Sequence, residues 1–405
     1  MNWPTVKFEE LYAEPSRNGV YKPKQFHGSG VRIVNMGELF AYDVISDQEM
    51  NRLVMTDSEM ARSGIQDGDL LFGRRSLVEA GAGKCSLVEG VSEPTTFESS
   101  IIRVRIDKER VRPRFLFYWL KSHQGRGSIK AIVTGTNVKG IRGTVLKDIK
   151  VPCPLVGLQD DVVSTLKAYD DLLENNRRRI QLLEQAARLL YKEWFVHLRF
   201  PGHEHVKIKD GVPEGWEKKT AFDVMDVLSG GTPKTHVPGY WDGGIPFYTP
   251  KDASDYAYVR STEKTLSEEG LRNCNSKLYP KDTVFITARG TVGKINLAQT
   301  AMTMNQSCYA LVAKPPINQY YLYFALVDGV EQFRSRAVGA VFDAIIRDTF
   351  KQIPFVVPDS KIIQTFTDHA TPILRQIDIL STETRKLVQA RDLLLPRLMN
   401  AEIAV

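Results

Sequence analysis

Two segments of the chain carry core positions at alternating steps of four and three residues, and they keep the same phase. In the first, the positions are Val162, Leu166, Tyr169, Leu173, Asn176, Ile180, Leu183, Ala187, Leu190 and Trp194. In the second they are Phe366, Ala370, Ile373, Ile377, Leu380, Thr384, Leu387, Arg391, Leu394 and Leu398, each 204 residues further on. The average step of 3.5 residues is that of a two-stranded helical seam. The pattern predicts two long helices over residues 157–197 and 358–405, each about 55–60 Å long if unbroken. Pro372 falls in the first turns of the second helix, which predicts a late start or a kink there. Asn176 is polar at a seam position: it either fixes register at a cost in stability or faces solvent at a frayed contact.

Elsewhere the pattern changes period. Short β-branched and aromatic runs ("SIIRVRI", "DTVFITA", "CYALVAK") stand between Gly, Pro and Asn turns and read as strands, whereas "RPRFLFYWLKS" and "INQYYLYFALV" read as buried helices after a turn. These regions also repeat. "GTNVKGIRGTVLKDIKVPCP" (135–154) matches "GAVFDAIIRDTFKQIPFVVP" (339–358) at the same offset of 204, with Gly135 on Gly339, Lys147 on Lys351, Ile149 on Ile353 and Pro154 on Pro358. "VRIVNMGEL" (31–39) aligns with "IPFYTPKDA" (245–253) at 214, "DGDLLFGRR" (67–75) with "PKDTVFITA" (280–288) at 213, and "FLFYWL" (115–120) with "YLYFAL" (321–326) at 206. The offset shrinks along the chain, so the first copy carries roughly ten extra loop residues. The order is globular module, helix, globular module, helix, and "YKEWFVHLRFPG" (191–202) closes the first copy near the midpoint.

A length of 405 residues fits two or three domains. No apolar run approaches the ~18 residues of a membrane span, and "MNWPTVKFEE" does not read as a signal peptide. The four cysteines are scattered, with no paired metal spacing, as expected of reduced thiols in a cytoplasmic protein. Charge is unevenly placed. Residues 157–197 hold 6 basic and 7 acidic side chains and residues 358–405 hold 6 of each, so the net +6 of the chain becomes +7 on the globular modules. A basic excess confined to the modules is what a phosphate-binding surface requires.

Catalytic spacing is missing. "GAGKCS" (81–86) has Val78 and Cys85 where a phosphate loop needs Gly and Ser or Thr, and it lacks the third Gly of a dinucleotide fingerprint. His197, His203 and His205 lie in a linker without cysteines or a helical His pair, which favours a solvated segment over a zinc site. Pro358–Asp359 lacks the acidic-x-Lys of a nuclease cluster, and "KPPI" (314–317) lacks both ends of a base-methylating motif. The expectation is a binder rather than an enzyme.

Four motifs carry a family resemblance: "SGGTPKTHVPGYWDGGIPFYTPKDA" (229–253), "TARGTVGKINLA" (287–298), "MNQSCYAL" (304–311) and "LLYKEWFVHLRFPG" (189–202). Together they resemble the specificity (S) subunit of type I restriction-modification systems, over essentially the whole chain. The first module departs from the pattern, with "EPSRNGVYKPKQF" for the Gly-Gly-Thr-Pro stretch and "FGRRSLVEAGAGK" for the Ala-Arg-Gly stretch.

The resemblance implies a mixed α/β fold: two α/β target recognition domains in pseudo-twofold repeat (residues 1–156 and 198–357), separated by two long antiparallel coiled-coil-like helices. It implies a cytoplasmic, non-catalytic subunit in which each domain reads one half of a split double-stranded DNA target while the helices fix the gap. Two methyltransferase (M) subunits and two restriction (R) subunits are the implied partners, and S-adenosylmethionine, ATP and Mg²⁺ belong to them. Arg74, Arg75, Lys84, Lys139 and Arg142 in the first module, and Thr232, Lys234, Arg289, Thr291 and Lys294 in the second, lie in Gly- or Pro-rich loops. Gly permits close backbone approach, Arg reads guanine edges and Lys suits phosphates; the alternative is that these side chains only cover solvated surface. Three other readings stay open: an enzyme with two catalytic lobes, a coiled-coil scaffold with no DNA role, and the specificity chain of a related system with a fused methylase-nuclease.

Overall fold

The computed structural model describes residues 3–77, 81–136, 138–259, 261–336 and 344–403. Gly339, on which one end of the repeat rests, and Val78, in the Gly-Lys loop, lie outside the described residues. The chain divides into two compact units, Met1–Leu172 with Leu387–Val405, and Leu173–Lys386.

The first unit is built on a five-stranded sheet in the order Tyr12–Asn18, Ile101–Ile106, Leu70–Gly73, Cys85–Val88 and Val44–Ile45. Only the last pair is parallel. A three-stranded sheet (Asn51–Leu53, His27–Val34, Thr95–Phe97) and two two-stranded ones (Thr5–Lys7 with Lys150–Pro152, and Arg75–Ser76 with Lys139–Gly140) go with it. The second unit repeats the five-stranded and three-stranded sheets and the first two-stranded one, and adds a hairpin of Ile208–Lys209 with Val212–Pro213. Its five-stranded sheet runs Met225–Ser229, Cys308–Ala313, Val284–Thr287, Ile295–Ala298 and Tyr258–Val259, again with only the last pair parallel. Its smaller sheets are Lys264–Leu266, Trp241–Tyr248, Thr303–Met304 and Glu217–Thr220 with Pro354–Val357. The irregularity repeats too: His27 and Val31 both oppose Leu53, as Trp241 and Ile245 both oppose Leu266.

Strand register corrects one alignment. Ile101 opposes Gly73 and Cys308 opposes Thr287, while Val104 opposes Leu70 and Leu311 opposes Val284. Gly73 therefore matches Thr287, an offset of 214 rather than the 213 expected from sequence. The reason is physical. Leu70–Gly73 and Val284–Thr287 are buried at every position, and a strand covered on both faces carries no period-2 signal to fix its phase.

The long helices run Val156–Tyr191, continued by a π-helical turn Lys192–Val196, and Ser360–Met399. The second begins at Ser360, well before Pro372, so the expected late start is not found. Pro372 is exposed, and its neighbours Ala370 and Leu374 are buried. The Asp368 carbonyl that a residue 372 N–H would have bonded lies on the exposed side of the helix, where water can satisfy it. All twenty seam positions are buried or half-buried. Asn176 is 6% exposed, which removes the solvent-facing alternative. Arg391 fits because its guanidinium donates to Asp170 Oδ1 at 3.0 Å, a carboxylate that also accepts from the Tyr118 hydroxyl at 2.7 Å.

The helices bury more than a seam. Glu184, Tyr191, Leu374 and Ser381 are buried outside it, and Glu184 Oε1 accepts the Ala257 N–H at 2.6 Å. In the first unit Val162, Leu166, Leu398 and Met399 join the core formed by the sheet and helix Pro113–Lys121. In the second, Tyr191, Trp194 and Phe195 pack around Phe366 and join the core under helix Gln319–Ser335. Within each unit the two helical segments run antiparallel: Asp170 meets Arg391 while Val162 shares a core with Leu398, and Trp194 meets Phe366 while Ile180 shares a core with Leu380.

Candidate nucleic-acid interface

In the second module, Ser229 opposes Tyr309, Thr287 opposes Cys308 and Ile286 opposes Ile295. The loops at 230–240, 288–294 and 305–307 therefore leave the sheet at one end. Gly230 makes this possible, because a Cβ there would lie 2.1 Å from the Asn305 carbonyl oxygen. The Ala288 and Arg289 N–H groups both donate to the Ser307 carbonyl, at 2.8 and 3.3 Å. Gly290 and Gly293 take φ near +80° (80° and 81°), closing a tight turn that holds the exposed Arg289 at its tip. The Thr291 hydroxyl donates to the Pro250 carbonyl at 3.2 Å, and the Thr232 hydroxyl donates to Gln306 Oε1. Thr232 and Arg289 are thus tied to the neighbouring residues Gln306 and Ser307, while Thr291, two residues past Arg289, is anchored to Pro250. Lys294 is turned aside, its ammonium paired with Asp255. Lys234 is exposed, and its carbonyl accepts from the Trp241 indole N–H at 3.4 Å.

The first module builds the same turn from a different sequence. Gly83 N–H donates to the Gly73 carbonyl at 2.7 Å, as Gly293 does to Thr287 at 2.9 Å. Gly73 N–H donates to the Lys84 carbonyl at 2.9 Å, as Thr287 does to Lys294 at 2.9 Å. Arg75 therefore stands where Arg289 stands and Lys84 where Lys294 stands, with a loop four residues longer between them. Arg74 corresponds to Ala288; its N–H donates to the Ser100 carbonyl and its carbonyl accepts from Ile141, as Ala288 does with Ser307 and Ile345. Strand pairing sets Gly140 opposite Arg75 and Lys139 opposite Ser76, and the exposed Arg142 follows Ile141. Arg74, Arg75, Lys139 and Arg142 form a basic group along this strand pair, with Arg75 and Arg142 exposed and Arg74 and Lys139 half-buried. Lys84 does not join it: its ammonium donates to the Phe40 carbonyl at 2.5 Å, and burial lowers its pKa.

Two residues of this site escape loop-by-loop reading. A Cβ on Gly19 would lie 2.1 Å from the Phe97 carbonyl oxygen, the same clash as at Gly230, so Tyr21 is the counterpart of Thr232. Tyr21 is 83% exposed beside a 460 Å³ cleft lined by Arg17, Lys22 and Arg62. The shared Gly at 19 and 230 was the available signal. Gln306 is the other, visible in sequence within "MNQSCYAL".

The family model described as the type I restriction modification DNA specificity domain matches residues 63–185 and 213–388. The MjaIX specificity subunit of Methanocaldococcus jannaschii is 22% identical over 393 residues, covering 95% of this chain and 89% of its own. The HindI specificity subunit of Haemophilus influenzae is 22% identical over 408 residues, covering 85% and 88%. The crystal structure of a type I restriction-modification S subunit from M. genitalium shares the fold, with a TM-score of 0.60 at 17% identity over 98% of this chain and 96% of that one. With the family model matched in both modules, across sheets and turns of one shared design, the chain belongs to the specificity subunits of type I restriction-modification systems.

Proposed function

We propose that each module of this specificity subunit grips one half of a split duplex target, with Arg75 and Arg289 as the central reading side chains. The observation that carries this is their equivalence. Two turns of unlike sequence and length place an exposed arginine at the same point of the same sheet end. An arginine on a short glycine-supported turn can enter the major groove and pair bidentately with guanine. Basic neighbours in the same group, Lys139 and Arg142, suit the flanking phosphates.

The two long helices, 36 and 40 residues, act as the spacer that sets the unread gap and as the frame on which two M subunits dock. Two R subunits complete the restriction complex. The chain itself is non-catalytic, in keeping with a sequence that lacks the phosphate-loop, nuclease and base-methylating motifs. S-adenosylmethionine, ATP and Mg²⁺ belong to the partner subunits. Sequencing the methylated sites of the host with and without this gene tests the reading. A bipartite motif that disappears with the gene is the expected result; an unchanged methylome overturns it for a host with active M subunits.

A further inference from the structure

Outside the reading loops, the second module carries three cations around one aromatic ring. The Nζ of Lys314, the guanidinium carbon of Arg347 and the Nζ of Lys351 lie 5.8, 5.5 and 5.5 Å from the centre of the Phe222 ring. No two of these charges are more than about 11 Å apart, roughly one Debye length at moderate salt. Asp226 holds Lys314 at 3.4 Å, with Asp223 also close enough to feel that ammonium, and Asp348 holds Lys351 at 2.8 Å; among the described residues Arg347 is the one cation of the three that forms no ion pair. Arg347 and Lys351 are exposed.

The equivalent place in the first module is built differently. Phe8 N–H donates to the Ile149 carbonyl and Ala221 N–H to the Ile353 carbonyl, each at 2.9 Å, so Glu9 stands where Phe222 stands. Lys147, the counterpart of Lys351, pairs with Glu9 at 3.0 Å, and Gly143 replaces Arg347. The lysine thus has a carboxylate partner in both modules, and what the second module adds is the ring with Arg347 upon it. The patch is also next to the reading turn. Ile345 N–H donates to the Ala288 carbonyl at 3.0 Å, Arg289 follows Ala288, and Arg347 is two residues beyond Ile345. The Arg347 and Arg289 Cα atoms are therefore within roughly 16 Å of each other, about five base pairs of duplex at 3.4 Å each.

The geometry points to the Phe222 cluster as a phosphate clamp: Arg347 and Lys351, seated on the ring, take the DNA backbone beside the half-site read by Arg289, an anchor the first module lacks. The ring holds the cations by their attraction to its face, and an incoming phosphate relieves their mutual repulsion. The clamp rests on the reading that this chain binds duplex DNA.

The test is a fluorescence titration of the full chain with a labelled random-sequence duplex of about 30 base pairs, repeated over a range of salt. Each lost phosphate contact lowers the slope of log K against log [salt] by about 0.9. The double variant R347Q/K351Q is expected to lose one to two units of slope and roughly tenfold in affinity at 0.1 M salt, while K147Q changes neither. Unchanged slope and affinity in R347Q/K351Q, with wild type binding normally, overturns the clamp. So does a variant that keeps its duplex binding but no longer assembles with M subunits, since that makes the patch a protein contact. Absence of salt-dependent binding by the wild type instead overturns the DNA reading itself.

Discussion

Arg75 and Arg289 occupy the same position in two sheets, each two residues past the residue, Gly73 or Thr287, whose N–H and carbonyl close a turn on Lys84–Gly83 or Lys294–Gly293. Chemistry at the two sites should therefore be matched. Arg289→Ala is expected to weaken binding of the cognate duplex by ~1–3 kcal/mol, as one lost base contact would. Arg75→Ala should cost a similar amount and relax the other half-site. A fluorescence titration against duplexes altered in one half at a time reads both effects; equal affinity for wild type and R289A removes Arg289 from the reading role.

Autonomy of the modules gives a second expectation. The four sheets of the second module, among the described residues, close entirely within residues 208–357. Replacing residues 198–357 with the corresponding module of another specificity subunit should change one half of the methylated motif and leave the other intact. Sequencing methylated sites in the swapped strain reads the result directly, and changes in both halves would mean that the modules do not read independently.

The seam was legible because its heptad phase is a long-range signal: a partial pattern at each of ten positions reinforces one register, and burial at Ile180, Ala187, Ile377 and Leu380 follows it. Residues that face a module instead of the partner helix, such as Glu184, fall outside that phase and look like surface. The arginine equivalence was hidden for a different reason. Strands buried on both faces hide a one-residue slip, and a slip from 214 to 213 pairs Arg75 with Ala288 and loses the match to Arg289. Lys84 could not be judged from sequence, because the Phe40 carbonyl that captures it comes from a segment 44 residues away.

Arg103 puts the first module's buried ion cluster to the test. Its side chain is almost wholly buried, paired with Glu14 and donating to the Gly64 carbonyl at 2.6 Å, while neighbouring Arg105 grips Asp69 with two bonds of 2.8 Å. Desolvation pushes the Arg103 pKa down, so the ion pair and the carbonyl are what keep the charge tolerable. Arg105 also holds Glu14, at 3.0 Å, so Arg103→Ala is expected to destabilise the module by ~1–3 kcal/mol, the loss of a buried charge-assisted hydrogen bond. The second module manages with Ala310 at this point in its sheet, so adding Glu14→Leu to R103A should recover much of the loss. Urea unfolding midpoints compare the three proteins; a negligible effect of the single change would mean that Arg105 and water compensate Glu14 without Arg103.

Acid sensitivity should appear at helix Asp57–Ser63. Glu59 is bound by the Lys22 ammonium at 2.6 Å and by the Thr56 N–H at 2.8 Å, which lowers its pKa to about 2 from the ordinary 4.5. A depressed folded-state pKa means that its contribution is fully present above about 4.5 and is lost as pH falls toward 2. Amide exchange in this helix should be slower in wild type than in E59Q at pH 6, and the two should converge toward pH 3. A difference that persists unchanged to pH 3 would show that the carboxylate's charge is not what holds the Tyr21 loop to the helix.

The spacer role makes the sharpest demand on the helices. Both keep one heptad phase across a repeat of 204 residues, and each runs unbroken from segments of one compact unit into the other. Inserting seven residues after Leu183 and seven after Leu387 preserves the seam and lengthens each helix by ~10 Å. At 3.4 Å per base pair that is roughly three base pairs, fewer if the helices are inclined to the duplex. The expected methylome keeps both half-sites and shows a gap longer by about one to three base pairs. Four-residue insertions leave everything downstream out of phase by about 40° (four steps of 100° less one turn), which takes the later seam positions out of line with the earlier ones and should impair folding or assembly. If the helices serve only to dock M subunits, with the modules finding DNA flexibly, the heptad variant stays active with its gap unaltered; that single outcome removes the spacer role.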